Sequence, residues 1–347
     1  MSGYATKKQA MKSKKNRYES ILHIKNSFFL IKLFTAIFII STLFHCGGGE
    51  SDPGSELYSD SGLLFGPAGD RGIEQDLDML PDSNGQIVTQ LRATIADARA
   101  GTTEIYRVRY LSDNLEVVGF IVKPYDNQSN YPVIIFNRGG NREFGKITED
   151  TLEYLSFLSS KGYVVLASQY RGNDGGQGQE EFGGADINDV LNLLPLAKSL
   201  PFIDANNIFM LGYSRGGMMT YLAIKSGVEI NAAAVVGGLT DLEQAYNERE
   251  AEMQRIIEEL VGMDPFAWEA RSAVHWPEMI NIPVLILHGE ADERVSVSHA
   301  TKLAQLLTEE GKVHKLTLFA DGNHSLSTHY QEKHTAIFEW FETYTNF

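Results

Sequence analysis

From residue 131 onward, short unbroken apolar runs alternate with stretches in which apolar residues recur every three or four positions. The runs at 133–136, 163–167, 208–211, 232–236, 284–287 and 315–319 predict buried strands. Helical spacing over 148–161, 185–199, 215–226, 298–310 and 330–343 predicts the intervening helices. Continuous apolar strands between amphipathic helices imply a mostly parallel sheet covered on both faces, with ligands beyond the strands' carboxyl ends. Upstream, 105–110 and 115–122 flank Ser112-Asp113-Asn114, the pattern of an antiparallel hairpin. Ile87, Leu91, Ile95 and Ala98 predict a short helix within 86–100, packed on this domain.

Between the strands at 232–236 and 284–287 lies an insertion, about 241–276. Within it Leu242, Tyr246, Met253, Ile256, Ile257 and Leu260 keep helical spacing, with Glu248, Arg249, Glu250 and Glu252 on the other side. It is expected to form a small helical cap shaping a pocket; the alternative is an ordinary packing helix.

The chain's start has another character. A Lys-rich flank, Lys7 to Lys25, precedes an apolar run whose unbroken part, Leu33 to Phe44, spans 12 residues. That is the length of a signal-peptide core and short for a bilayer span. Leu43-Phe44-His45-Cys46-Gly47 follows and resembles a bacterial lipoprotein signal, although Phe44 and His45 stand where small residues are usual. Residues 1–45 are therefore expected to be a lipoprotein-like signal or a membrane anchor, with Cys46 the lipidation site; plain secretion is the third option. All three export the body. Residues 46–60 read as a flexible tether, 61–103 as an extension packing on the core, and 104–347 as the main domain.

Charge removes one class of partner. The first 45 residues hold eight Lys/Arg against one Glu, so within a net charge of −15 the rest carries −22. Such a body repels phosphates, which excludes nucleic acid. Cys46 is the single cysteine, so neither an internal disulfide nor a cysteine-based zinc site is possible.

The chemistry concentrates at three strand ends. Gly212-Tyr213-Ser214-Arg215-Gly216 joins a strand to a helix, the setting in which a strained turn exposes a nucleophilic serine and requires tiny neighbours. A base and an orienting acid are then expected downstream in the order Asp, His. Asp292 follows the strand at 284–287, and His324 follows the strand at 315–319. Glu290, Glu293 and Asp321 compete for the acid role, and His329 and His334 fall at or within the last helix. His288 closes a strand and is expected to satisfy a backbone partner, while His275, His299 and His314 read as surface or packing residues.

Several segments together resemble the catalytic domain of prolyl oligopeptidase-type serine peptidases. They are Gln169-Tyr170-Arg171-Gly172 through Gly178, Gly184-Ala185-Asp186 through Val190, Gly212 to Gly217, Pro283 to Val295, and Gly322-Asn323-His324. The likeness covers about 104–347. It implies the α/β-hydrolase fold, with Ser214, Asp292 and His324 as a catalytic triad. It also implies that Arg171 and Asp186 form an ion pair stiffening a loop beside the site, against the alternative of two independent surface charges. The family's larger peptidases carry a propeller that selects substrates by size, and residues 47–103 are too few for one. Some members place a tyrosine at the oxyanion loop, where this chain has Arg138. Gly139 and Gly140 still allow a backbone N–H to face the substrate, beside the N–H of Arg215. Tyr213, Arg138 and Arg142 are candidate substrate contacts, the arginines for an acidic group or, alternatively, for structural salt bridges.

The expected protein is thus an exported serine hydrolase of peptide or ester bonds, a peptidase by resemblance, needing no metal or organic cofactor. A carboxylesterase is the alternative, and a non-catalytic surface binding protein a remote one.

Overall fold

The computed structural model describes residues 57–58, 63–67, 72–95, 101–126 and 128–346. The basic leader, Cys46 and the glycine-rich tether lie outside the described residues, among which no helix is long and apolar enough to cross a membrane.

One sheet organises the described residues. Its strands are β1 (Leu57–Tyr58), β2 (Leu64–Pro67), β3 (Ile87–Thr94), β4 (Thr103–Ser112), β5 (Leu115–Pro124), β6 (Tyr131–Asn137), β7 (Val164–Ser168), β8 (Ile203–Tyr213), β9 (Ala232–Val236), β10 (Val284–Gly289) and β11 (His314–Phe319). They lie in the order β1-β2-β3-β4-β5-β7-β6-β8-β9-β10-β11. Every pairing from β7 to β11 is parallel. The N-terminal strands join antiparallel, β5 docking on β7. After β6 the chain moves to one side for β7 and then to the other for β8. The carboxyl ends of β6 and β8 therefore meet, Asn137 opposite Gly212, at the kind of reversal where α/β sheets build ligand sites.

Alternation along each strand feeds two cores. Val133 and Ile135 face one, shared with α2 (Ile187–Leu191), α3 (Leu193–Lys198), α4 (Arg215–Lys225) and α8 (Ser298–Glu309). Ile134 and Phe136 face the other, shared with α1 (Glu149–Ser159) and α9 (Tyr330–Thr343). Period-two side-chain placement in strands sandwiched by helices requires this division. The β4–β5 hairpin closes at Ser112 and Leu115, with Asp113 and Asn114 both at positive φ (53° and 62°). Such a turn matches the strand twist, and Asp and Asn tolerate it better than other side chains.

Two predicted helices differ. The described part of the segment, 86–95, is not helical: β3 occupies 87–94 and pairs antiparallel with β4, Leu91 opposite Arg107, and 96–100 lie outside the described residues. Leu91, Ala93 and Ile95 also fit a period of two, and the unpaired backbone edge of β4 decides between the periodicities. The segment 185–199 breaks at Asn192 into α2 and α3. Pro195 has no N–H to donate to the Leu191 carbonyl, so the hydrogen-bond ladder cannot run through.

The 241–276 insertion forms α5 (Leu242–Glu248), α6 (Ala251–Leu260) and α7 (Pro265–Ala270). Asp241 caps α5 by accepting from the Gln244 N–H at 3.1 Å. Tyr246 packs on Trp268, ring centroids 5.0 Å apart, tying α5 to α7.

Candidate active site

Ser214 sits between β8 and α4 at φ 56°, ψ −122°, a backbone conformation that costs an L-residue about 1–3 kcal/mol. The surrounding structure imposes it: the Ser214 N–H donates to Val236 O at 2.9 Å, and its carbonyl accepts from Gly217 N at 2.9 Å. The flanking glycines are steric requirements. A Cβ on Gly212 would collide with the Gly216 carbonyl, and one on Gly216 with the Asn137 carbonyl.

Asp292 and His324 meet on neighbouring loops. His324 Nδ1 lies 2.8 Å from Asp292 Oδ2, and the Asp292 side chain is fully buried. The Arg294 and Val295 N–H groups donate to Asp292 Oδ1 at 2.8 and 3.0 Å. Burial works to raise the Asp292 pKa. Hydrogen bonds from His288, His324 and the Val295 N–H outweigh it and hold the carboxyl well below its ordinary range. Glu290, Glu293 and Asp321 are exposed, and none meets a histidine. His288 Nε2 donates to Val295 O at 2.8 Å, the backbone partner expected of it, and also lies 3.3 Å from Asp292 Oδ2.

Ser214 and His324 line one cavity of about 260 Å3, together with Gly139, Gly140, Tyr213 and Arg215. Ala245, Met253 and Ile257 of the insertion form part of its apolar wall. Tyr213 contributes its ring, since its hydroxyl is engaged 2.9 Å from that of Tyr154.

Two peptide planes in the 138–140 loop are anchored from behind. The Tyr170 hydroxyl donates to the Arg138 carbonyl at 3.0 Å, and Arg138 Nη1 donates to the Gly139 carbonyl at 3.0 Å. In a trans peptide the N–H lies opposite the carbonyl, so these bonds orient the Gly139 and Gly140 N–H groups. Arg215 opens α4, where a backbone N–H has no partner within its own helix.

Of the two roles left open for Arg138 and Arg142, the structure shows the structural one. Arg138 is buried and does not reach substrate; besides Gly139 O, it donates to Gln169 O at 2.8 Å and Arg142 O at 3.2 Å. Burial, and then the neighbouring Arg215 charge, pull its pKa down to about 10. Arg142 points to the insertion and pairs with Glu259 at 2.6 Å. Arg171 and Asp186 do not form the expected pair. Arg171 binds Asp189 and Asp113, both at 2.8 Å, while Asp186 binds the Arg215 guanidinium at 2.5 Å. The reason is local: Asp189 lies one helical turn beyond Asp186 and accepts from both the Arg171 backbone N–H and its side chain. Asp186 is left for the buried Arg215, whose other carboxylate partner is Glu180 at 2.6 Å and which also donates to the Gly140 carbonyl at 3.2 Å. Arg215 also packs over Tyr170 and Phe182, 4.7 Å from each ring centroid. Glu180 had no sequence signal beyond an acid in a glycine-rich loop, yet it also accepts from Arg142 N and Asn173 Nδ2. Among the described residues, no cluster of three or more His, Cys, Asp or Glu is arranged to hold a metal ion.

A mixed sheet whose strands from β7 to β11 run parallel, with a strained serine at a strand–helix turn, an Asp–His pair on its rim and helices on both faces, defines a serine hydrolase of the α/β-hydrolase fold. The chain belongs to the prolyl oligopeptidase family, which it matches over residues 150–347. It is 32% identical over 212 residues to the uncharacterized peptidase YtmA of Bacillus subtilis, covering 59% of this chain and 80% of that protein. To the uncharacterized peptidase YuxL of the same organism it is 28% identical over 297 residues, covering 80% of this chain and 41% of that protein. The acylaminoacyl peptidase of Pyrococcus horikoshii shares the fold, with a TM-score of 0.62 and 21% identity over 74% of this chain and 48% of that one.

Proposed function

We propose that this protein is a serine peptidase that cleaves short peptides through an acyl-enzyme on Ser214. The observation that carries the reading is one cavity holding both a strained serine and a histidine bonded to a buried, ionised aspartate. His324 takes the Ser214 proton as the oxygen attacks the carbonyl, and Asp292 stabilises the resulting imidazolium. The Arg215 N–H and those of Gly139 or Gly140 receive the oxyanion. His324 protonates the leaving amine, and a water activated by the same imidazole releases the acyl group. A cavity of about 260 Å3 suits one side chain or small acyl group rather than a folded substrate.

The deciding experiment sets aminoacyl- and dipeptidyl-p-nitroanilides against p-nitrophenyl esters, beside fluorophosphonate labelling of Ser214. Amide turnover supports the peptidase. Turnover of esters alone assigns a carboxylesterase, and no labelling removes the hydrolase reading.

The same proposal places the enzyme outside the cytoplasm as a membrane-anchored lipoprotein of a bacterial envelope. Support comes from the basic flank, the 12-residue apolar core and the cysteine that ends it. Two or more acyl chains at Cys46 suffice for stable anchoring. Intact mass and detergent partitioning test it: wild type loses residues 1–45 and gains lipid, and Cys46→Ser does not. An unprocessed wild-type chain without lipid would assign an anchor instead.

A further inference from the structure

Arg249 and Arg294 both line the cavity that contains Ser214 and His324. They arrive independently, Arg249 from the end of α5 in the insertion and Arg294 two residues beyond Asp292. Arg249 Nη1 donates to the Arg294 carbonyl at 2.7 Å, which holds the two residues together. The Arg294 guanidinium lies over the Phe144 ring, 5.8 Å from its centroid. Arg138, Arg142, Arg171 and Arg215 each have a carboxylate within 4 Å. Among the described residues Arg249 and Arg294 have no such partner. Burial and then the Arg294 charge push the Arg249 pKa down, and the Glu250 and Asp292 charges oppose this incompletely.

Arg249 is half-buried and Arg294 exposed, and with no carboxylate beside either of them among the described residues they leave one side of the cavity mouth electropositive, a charge that a bound anion neutralises. Arginine suits a carboxylate in particular, since its planar donors match the two oxygens. We propose that Arg249 and Arg294 form a carboxylate-binding subsite, so that the enzyme prefers substrates carrying a carboxylate next to the scissile bond. This inference rests on the serine peptidase reading and narrows it to acidic substrates. The carboxylate is either an acidic side chain on the acyl side or the free C-terminus of a short leaving group.

Two matched substrate pairs separate these sources: peptides with Glu or Gln before the cleaved bond, and peptides with a free or amidated C-terminus after it. In one pair the acid is expected to exceed its amide about tenfold or more in kcat/KM, the scale of a hydrogen-bonded charge pair. Arg249→Gln and Arg294→Gln are each expected to shrink that ratio mainly through KM, and the lysine variants to retain part of it. Fluorophosphonate labelling of each variant verifies that its active site is folded. Turnover of all four wild-type substrates without an acid preference would overturn the subsite and leave the peptidase standing. A preference that survives both glutamine variants would also overturn it. Failure of the wild type to turn over any peptide or to be labelled would remove the peptidase reading itself.

Discussion

His288 Nε2 lies 3.3 Å from Asp292 Oδ2, the oxygen that also holds His324 Nδ1 at 2.8 Å. Two backbone N–H groups fix Asp292 Oδ1, so among the described residues His288 is the second contact on the oxygen that faces the base. Without it, that oxygen is restrained by His324 alone.

His288→Gln is therefore expected to lower kcat by about threefold to tenfold with little change in KM, because its one Nε2 proton is shared between the Val295 carbonyl at 2.8 Å and Asp292 Oδ2 at 3.3 Å and contributes as a weak bond. Asp292→Asn should cost more, because it also disturbs the histidine tautomer. Steady-state kinetics on one nitroanilide ranks the two. Equal activity of His288→Gln and wild type would reduce His288 to packing.

Ser214→Ala and Ser214→Gly should both lose about 10³-fold or more in kcat. Their stabilities should differ in an informative direction. Alanine keeps the strained φ of 56°, whereas glycine relieves a strain of about 1–3 kcal/mol and costs only about 0.5–1 kcal/mol in chain entropy. The glycine variant is expected to have the higher midpoint in urea. A more stable alanine variant would show that the turn is not strained.

The two acids on Arg171 are unequal. Asp189 is completely buried, and burial pushes its carboxyl pKa up in spite of Arg171, whereas the Asp113 side chain is 37% exposed. Arg171→Gln strands a buried carboxylate and should cost about 3–5 kcal/mol. Asp113→Asn, at a solvated pair, should cost less than about 1 kcal/mol. Chemical denaturation measures both.

Acid should destabilise the fold through His334. Burial, then the Lys333 charge, lowers its pKa from 6.5 to about 4, so the unfolded chain binds this proton more readily than the folded one. Stability is thus lost as pH falls from about 6.5 through about 4. Burial likewise lowers Lys333 from 10.5 to about 8, so its contribution makes stability rise with pH between those values. Thermal melts across both windows should show these slopes. His334→Gln should flatten the acidic one, and an unchanged slope would acquit His334.

Much of the candidate site was legible before any coordinates, because its parts are bound to local chain geometry. A serine between glycines at a strand–helix junction can adopt few conformations, and the unbroken apolar runs that bracket it require a sheet buried on both faces. Those constraints act within a dozen residues, so Ser214, Asp292 and His324 could be placed on one rim from their strands alone.

Pairings between distant charges could not be read this way. Asp186 and Asp189 lie on the same short stretch, and spacing cannot say which of them takes Arg171; the folded loop puts Asp189 against both the Arg171 backbone N–H and its side chain and leaves Asp186 to the buried Arg215. For Arg138 and Arg142 the sequence left a substrate contact and a structural salt bridge both open, and the structure gives both a structural role: one props the 138–140 loop and the other pairs with Glu259 on the insertion. Likewise, 86–100 carries apolar residues that fit either a helix or a strand, and the open edge of β4 selects the strand. Side-chain period and backbone sterics made the parallel half of the sheet and the nucleophile turn readable along the chain, whereas the roles of Asp292 and His324 rested on the Ser, Asp, His order of the fold that the chain resembles. Which charges neutralise one another, and which two of the arginines lining the cavity are left without a carboxylate, follows from the folded structure, because electrostatic partners are chosen by distance in space rather than along the chain.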